Sequence, residues 1–427
     1  MKLSLYNNVI KKEDYYLIHN PAYNTMLRVY DSNFKDIVDK LNPESIYNDN
    51  CFKTAEEKDF YDTLCNLKMF VEKETNEMNI LNYKYRLSRE SNKTLEIFMI
   101  PTMQCNFRCP YCYEDHKNDI MTKDIYEKSI KMIKNLVKTK DFKYVVINWF
   151  GGEPSLEIDS ICEFMSILKK EIPNVAILGQ MTSNAYLLTP DNFKRLIEVG
   201  VKYYQITIDG PKEIHNKTRI LANGEGTWDT IINNLLGIKK SDLDFKILIR
   251  SNFTKELLDN IDEWFRYLSL NFGDDDRFRY HFETVKNLGG DDTTFVFKGN
   301  IEPTGHITKV AKKYNLKTYL ENSIHNFSLE CYASKPWNFV IYFDGTIKKC
   351  TIDFTSSNNN VGTLNNDGMD LDEERMAWWT SYEKKPVCHN CRIYPVCFGR
   401  KCPAIYYSKD NCDKLKNIYD GILLSTY

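Results

Sequence analysis

Residues 94–116 read TLEIFMIPTMQCNFRCPYCYEDH: a run that suits a strand, then a proline, then Cys105, Cys109 and Cys112 at C-x3-C-x2-C spacing. The chain opens MKLSLYNNVIKKEDYY, without the apolar core of a secretory signal, and no run is long enough to span a bilayer, so a cytoplasmic protein without membrane attachment is expected. In a reducing compartment, thirteen cysteines point to metal ligands or catalytic thiols rather than disulfides. Three thiolates can hold three irons of a 4Fe-4S cubane and leave the fourth open. Zinc on the same loop would need a fourth ligand, for which His116 is available.

Six strands are legible from this loop outward: LEIFMIP, YVVINWF, AILGQMTSN, YYQITI, FKILIRSN and FRYHFETV. An amphipathic helix follows each of the first five, and the third is best marked, with Thr189 to cap it, Pro190 at its first position and Gly200 to end it. This alternation over 94–325 predicts an α/β fold, a partial (β/α)6 TIM-like barrel whose chemistry sits at the strands' carboxyl ends. The 427 residues exceed one usual core. Residues 1–88 read as strands and helices of a winged-helix module: LSLYNNVI, DYYLIHN and TMLRVY, a helix with Phe34, Ile37, Val38 and Leu41 on one face behind Asp31 or Ser32, and a second helix with Phe60, Leu64, Leu67 and Val71. A polar segment over 74–92 closes it. Residues 328–427 read as a loop-rich domain held by metal, with a hairpin at Asp344-Gly345. Cys51, Cys65 and Cys162 read as packing thiols. A net charge of −2 gives no footprint for nucleic acid, and the front module interleaves its lysines with Asp31, Asp36, Asp39, Glu56 and Glu57, which argues against a DNA-binding redox sensor.

The second strand ends in WFGGEPS, where Gly151 and Gly152 would let a ligand approach the backbone and Glu153 would offer a carboxylate to a cationic group. Together with the cysteine triad, this segment makes the chain resemble a radical S-adenosylmethionine (SAM) enzyme. The later cysteines resemble its SPASM-type auxiliary-cluster domain. Cys331 is followed by Gly345 and Cys350 after thirteen and four residues, then come Cys388, Cys391 and Cys397, Cys402 after four residues where the family has three, and Cys412.

The resemblance implies three 4Fe-4S clusters: one on Cys105, Cys109 and Cys112 whose open iron binds SAM, one on Cys388, Cys391, Cys397 and Cys412, and one on Cys331, Cys350 and Cys402. It further implies that Tyr111 lies near the adenine, that Gly151, Gly152 and Glu153 receive the methionine amino group, and that Ser183 and Asn184 (TSNAYLLT) with Thr207 and Arg219 (ITIDGPKEIHNKTR) line the SAM site, with Arg250 and Asn252 as further candidates. His281 and Glu283 are weaker candidates for a catalytic role, since alternation puts them on the same side as core positions. The front module resembles a leader-recognition element that adds a peptide to a sheet edge. The implied function is a radical SAM peptide maturase acting on a ribosomally made precursor with a leader, forming a cysteine thioether crosslink, with an electron donor such as flavodoxin or ferredoxin. The alternatives are a sulfatase-maturase-like dehydrogenase and a carbon-carbon crosslinking or epimerising peptide enzyme.

Overall fold

Three antiparallel strands near the amino terminus, β2 (Asn8–Lys11), β3 (Tyr16–Asn20) and β4 (Thr25–Val29), pair in that order behind the short β1 (Lys2–Leu3). This is seen in a computed structural model that describes residues 1–42, 44–90, 93–288, 294–297, 303–319, 331–381, 388, 390–397 and 409–426. Cys402 lies outside the described residues. The helix α1 (Ser32–Lys40) starts where Asp31 accepts from the Asn33 N–H at 2.8 Å, and α2 (Ala55–Asn66) starts at a capping box between Thr54 and Glu57. Val71, expected on the α2 face, lies instead in β5 (Phe70–Val71), paired with β1, because Lys68 takes a φ of 56° and turns the chain out of the helix. The polar segment expected to close the module forms α3 (Glu77–Glu90). Met78 and Leu81 pack inward while Ile80, Tyr83 and Leu87 are exposed, so its apolar residues do not mark one face, and its anchor is polar: Glu77 accepts from the Ser4 hydroxyl and the Leu5 N–H. Cys65 packs against this module's core, whereas Cys51, read as a packing thiol, is exposed on a short turn.

All six expected barrel strands form: β6 (Thr94–Met99), β7 (Tyr144–Trp149), β8 (Ala176–Ser183), β9 (Val201–Thr207), β10 (Lys246–Phe253) and β11 (Phe278–Thr284), each parallel to the next. Between and after them run α4 (Lys123–Thr139), α5 (Ile158–Glu171), α6 (Pro190–Glu198), α7 (Lys212–Thr218), α8 (Trp228–Lys239), α9 (Lys255–Asp259), α10 (Ile261–Phe272) and α11 (Thr304–Lys313). Trp149, Met181, Tyr204, Ile247 and Phe278 are register neighbours, all buried, and their face packs on the helices: Trp149 against Phe164, Tyr204 against Phe193 and Phe278 against Phe272. The other face is polar and half-open. There Thr207, Arg250 and His281 stand side by side on β9, β10 and β11, as do Asn252 and Glu283 on β10 and β11. His281 and Glu283 therefore do not share a side with the core. Phe278, Tyr280 and Phe282 take the helix face, which leaves the intervening residues to the barrel interior.

The sheet does not end at β6. Its other edge receives β12 (Asn338–Ile341) in parallel, then β13 (Thr346–Lys348), β14 (Asn360–Asn365) and β15 (Gly368–Leu371) antiparallel, making ten strands. The expected hairpin stands at Asp344-Gly345, with Gly345 at a φ of 85°. Beyond it, the segment expected to be held by metal shares cores with the amino-terminal module. Leu17 of β3 is buried with Ile393, Val396, Leu415, Tyr419 and Leu423, and Tyr6 with Leu81, Cys388 and Tyr394. Arg392 meets Asp420 in a two-pronged pair at 2.6 and 2.8 Å and also donates to Asn8. The helix Lys409–Thr426 packs on α11 where Gly305 and Gly421 meet. The segments 1–88, 94–325 and 328–427 are thus joined by one sheet and by common cores. Among the described residues no helix is long and apolar enough to cross a membrane.

Candidate active site

The cysteine loop leaves β6 and is clamped from two sides. On one side, Gly152 N–H donates to Thr102 O at 3.2 Å and Glu153 N–H to Gln104 O at 2.8 Å; on the other, Arg108 N–H donates to Ile220 O and Ala222 N–H to Asn106 O, each at 2.9 Å. This explains the glycines differently from the expectation. A Cβ on Gly152 would stand 2.2 Å from Gln104 O, and one on Gly151, whose φ is 117°, 2.6 Å from Thr102 O, so what approaches them closely is the cysteine loop's own backbone. Gly152→Ala is accordingly expected to displace residues 102–105 and to lower bound iron by about four atoms, one cluster, with the far-ultraviolet circular dichroism unchanged; iron analysis of the purified variant checks it.

Glu153 is also committed within the chain. Its buried carboxylate accepts from Ser155 N–H at 2.9 Å, the Ser183 hydroxyl at 2.7 Å and Asn184 N–H at 2.7 Å. These three bonds fix the end of β8. Asn184 passes the constraint on, donating to Asn106 Oδ1 at 2.8 Å beside Cys105.

Across the loop lies a second buried network. Arg219 spreads over the Phe107 ring, 5.5 Å from its centre, and donates from Nη1 to the Tyr111 hydroxyl at 3.2 Å, while that hydroxyl donates to Asp209. Asp209 also accepts from Asn252 N–H at 2.9 Å. Burial opposes the Arg219 charge, yet the neighbouring Cys109, Tyr111 and Asp209 hold the guanidinium protonated. His215 is neutral, its pKa driven well down by burial and by Arg219. Its Nδ1 accepts the Asp209 N–H at 3.2 Å, so its proton sits on Nε2 and donates to Thr227 at 3.0 Å, and Thr227 in turn donates to Arg219 O at 2.6 Å. Asp209, His215, Thr227 and Asn106 were not foreseen as site residues. Asp209 and His215 stand inside ITIDGPKEIHNKTR, where Asp209-Gly210 reads equally well as a turn.

Thr207, Arg250, His281 and Glu283 continue this wall around the interior. Arg250 Nε donates to Asn252 Oδ1 at 2.9 Å, His281 Nε2 lies 3.4 Å from Glu283 Oε1, and Lys286 lies 2.8 Å from the other oxygen. Burial alone would raise the Glu283 carboxyl, but His281 and Lys286 overcome it and hold the group ionised well below the usual carboxylate range.

The side chains present fit iron–sulfur ligation. Cys105 Sγ accepts Phe107 N–H at 3.4 Å, and Cys350 Sγ accepts the Ile352 and Asp353 N–H groups at 3.4 and 3.5 Å, the bonds a buried thiolate needs. Burial, aided by Glu114, pushes the Cys112 thiol up to about 12, a cost that binding to iron would reverse. Arg219 Nε is buried without a hydrogen-bond partner among the described residues, a donor left for a group the structure does not hold. Burial, with Cys350 and Cys331 adding to it, raises the Tyr332 hydroxyl, and burial with Cys388 and Cys397 raises the Tyr394 hydroxyl to about 12. None of the described cysteines forms a disulfide, and among the described residues no three His, Cys, Asp or Glu side chains converge on a single-ion site.

Residues 99–268 match the Radical SAM superfamily, so this segment is a radical SAM domain. The chain is 28% identical over 189 residues to a cysteine-type anaerobic sulfatase-maturating enzyme of Clostridium novyi (strain NT), covering 42% of this chain and 50% of that one. It spans about half the length of the curated relatives it matches. Its fold is similar to that of native anSMEcpe solved with bound AdoMet, with a TM-score of 0.60 and 19% identity over 78% of this chain and 98% of that one. It is also similar to Streptococcus suis SuiB bound to precursor peptide SuiA, with a TM-score of 0.51 and 13% identity over 94% and 95% of the two chains.

Proposed function

We propose that this radical SAM chain is a cytoplasmic maturase that joins a cysteine of a ribosomally made precursor peptide to a carbon, as a thioether. The observation that carries the reading is the union, in one body, of the clamped cysteine loop with a small sheet whose outer strand β4 is open to an added strand. The neighbour solved with a precursor peptide, which matches over nearly the whole chain, supports a peptide partner.

Cys105, Cys109 and Cys112 would hold one 4Fe-4S cluster, Cys388, Cys391, Cys397 and Cys412 a second, and Cys331, Cys350 and Cys402 a third with one iron left for a substrate thiol. A SAM-loaded cluster, reduced by flavodoxin or ferredoxin, supplies hydrogen-atom abstraction from an unactivated carbon. The chain's own residues arrange the rest. Arg219, charged and pinned over Phe107, receives an anionic group, Tyr111 and Asp209 fix its direction, and Thr207 and Arg250 extend the polar wall toward the substrate. His281, steadied by Glu283, is the group on that wall able to take the proton of a substrate thiol.

The sulfatase-maturating relative favours a second reading, oxidation of a single cysteine or serine side chain. Anaerobic incubation with SAM, dithionite and the precursor separates the two. The first expects 5'-deoxyadenosine together with a peptide lighter by two hydrogens and lacking one titratable thiol, and no reaction once the precursor's cysteines are serine. An oxidised side chain in place of a crosslink supports the second, and no 5'-deoxyadenosine at all refutes both.

A further inference from the structure

Tyr6 stands on the turn between β1 and β2 and is wholly buried, in one small core with Leu81, Cys388 and Tyr394 that Cys391 borders. Its hydroxyl has no hydrogen-bond partner among the described residues. The polar groups around it are spent elsewhere. The Glu77 carboxylate accepts from the Ser4 hydroxyl and from the Leu5 N–H, Ser4 Oγ accepts the Tyr6 N–H at 3.2 Å, and the Tyr394 hydroxyl donates to Asn82 Oδ1 at 3.2 Å. Burial, with Glu77, Tyr394 and Cys391 adding to it, raises the Tyr6 hydroxyl well above the usual tyrosine range, so it remains a donor. A buried donor without an acceptor destabilises a fold, and a phenylalanine would fill the same space without that cost. The chain supplies no acceptor here, and what shares the core with the ring is cysteine sulfur.

We infer that the Tyr6 hydroxyl donates a hydrogen bond to a sulfur of the cluster assigned to Cys388, Cys391, Cys397 and Cys412, and so sets how readily that cluster takes an electron. The inference rests on the three-cluster reading and goes beyond it, by making a residue of the amino-terminal module part of the cluster's surroundings. The chain fixes the two partners relative to each other. Asn8 Nδ2 donates both to Tyr6 O at 2.8 Å and to Arg392 O at 3.3 Å, tying the tyrosine to the residue after Cys391. The cysteine turn is closed by its own backbone, with Cys391 N–H donating to Cys388 O at 3.3 Å and Tyr394 N–H to Cys391 O at 2.9 Å. Sulfurs of an iron–sulfur cluster accept more strongly once an electron is added, because part of the charge spreads onto them. A donor within reach therefore stabilises the reduced form more than the oxidised one and raises the potential. In a core closed to water that preference is felt in full.

The test uses the full-length, anaerobically reconstituted protein and its Tyr6→Phe variant, which keeps the ring and its packing and deletes the donor. Potentiometric titration followed by electron paramagnetic resonance is expected to show one cluster about tenfold harder to reduce in Tyr6→Phe, a fall of about 59 mV for one electron, with the other signals unmoved and iron at the wild-type level. Resonance Raman bands of the wild-type iron–sulfur stretches are expected to shift in deuterium oxide, and part of that shift is expected to vanish in Tyr6→Phe. Leu81→Ala, which loosens the same core without removing a donor, is expected to leave the potentials where they are. Unchanged potentials in Tyr6→Phe, an equal fall in Leu81→Ala, or loss of iron with the hydroxyl would each overturn the assignment. These readouts need no turnover. Wild-type protein holding only about four irons would sink the auxiliary-cluster reading and this inference with it, whereas about twelve irons and potentials indifferent to Tyr6→Phe would sink the inference alone.

Discussion

The variant in which Cys105, Cys109 and Cys112 are all alanine is expected to produce no detectable 5'-deoxyadenosine and to lose about four of about twelve irons, while remaining folded. Loss of activity follows because no other side chain of the loop can take over three iron positions at once. Retention of the fold follows from how the loop is held. Its clamps run from backbone to backbone, through Gln104, Asn106 and Arg108, and alanine leaves each of those bonds in place. The three side chains themselves contribute little packing, since Cys105 and Cys109 only border the main core. The remaining iron would belong to the C-terminal cysteines and should keep its spectrum. Iron and sulfide analysis with electron paramagnetic resonance of the reduced variant checks both halves. Zinc in the wild-type protein, or a triple variant with its full iron, would refute the cluster assignment and return weight to a His116-containing zinc site.

Much of this arrangement was legible before any coordinates. The six barrel strands showed because each is a short apolar run between helices of clear period, and the third helix because Thr189, Pro190 and Gly200 mark both its ends. The cysteine loop showed because its spacing and its place after the first strand are both local. What stayed hidden was long-range or polar. Nothing in sequence says that Glu153 turns inward to gather Ser183 and Asn184 from a strand thirty residues away, since a carboxylate after two glycines reads equally as a ligand. His215 stayed hidden because its partners, Asp209 and Thr227, come from either side of α7 and meet only in the fold. α3 stayed hidden because its apolar residues do not mark one face, Ile80, Tyr83 and Leu87 being exposed while Leu81 is buried, and because its anchor is the polar Glu77. His281 and Glu283 were placed with the core because alternation fixes which residues share a face but not which face the helices cover. That β12–β15 extend the barrel's own sheet stayed hidden for a related reason: the strands are short, and only the pairing of β12 to β6 reveals it.

Leu17→Asp is expected to cost the enzyme a cluster that lies hundreds of residues away in sequence. Were the amino-terminal module an independent peptide clamp, a change within it would alter peptide affinity and nothing else. The packing says otherwise. β3 presents Ile18 to its own module's core and Leu17, fully buried, to Ile393, Val396, Cys397, Leu415, Tyr419 and Leu423. An aspartate at 17 removes the apolar contact and sets a carboxylate against Ile393, Val396, Leu415 and Leu423, a penalty of about 3–5 kcal/mol that the exposed cross-strand neighbour Arg28 offsets only in part. The other supports of the segment that must absorb it, among the described residues, are the Arg392–Asp420 pair, the hydrogen bonds Arg392–Asn8, Tyr394–Asn82 and His19–Tyr419, the small core of Tyr6, Leu81, Cys388 and Tyr394, and the contact of the helix Lys409–Thr426 with α11. The expected outcome is local opening there. About four irons should be lost, those assigned to Cys388, Cys391, Cys397 and Cys412, with faster hydrogen exchange over 409–426, while SAM cleavage to 5'-deoxyadenosine by the untouched loop persists and peptide crosslinking fails. A Leu17→Asp protein with full iron and unchanged exchange would show that the C-terminal cysteines hold their segment without help from β3. The distinction bears on any attempt to exchange this amino-terminal module for another: a swapped module must reproduce the β3 face that meets the C-terminal helix as well as the β4 edge proposed to meet a peptide.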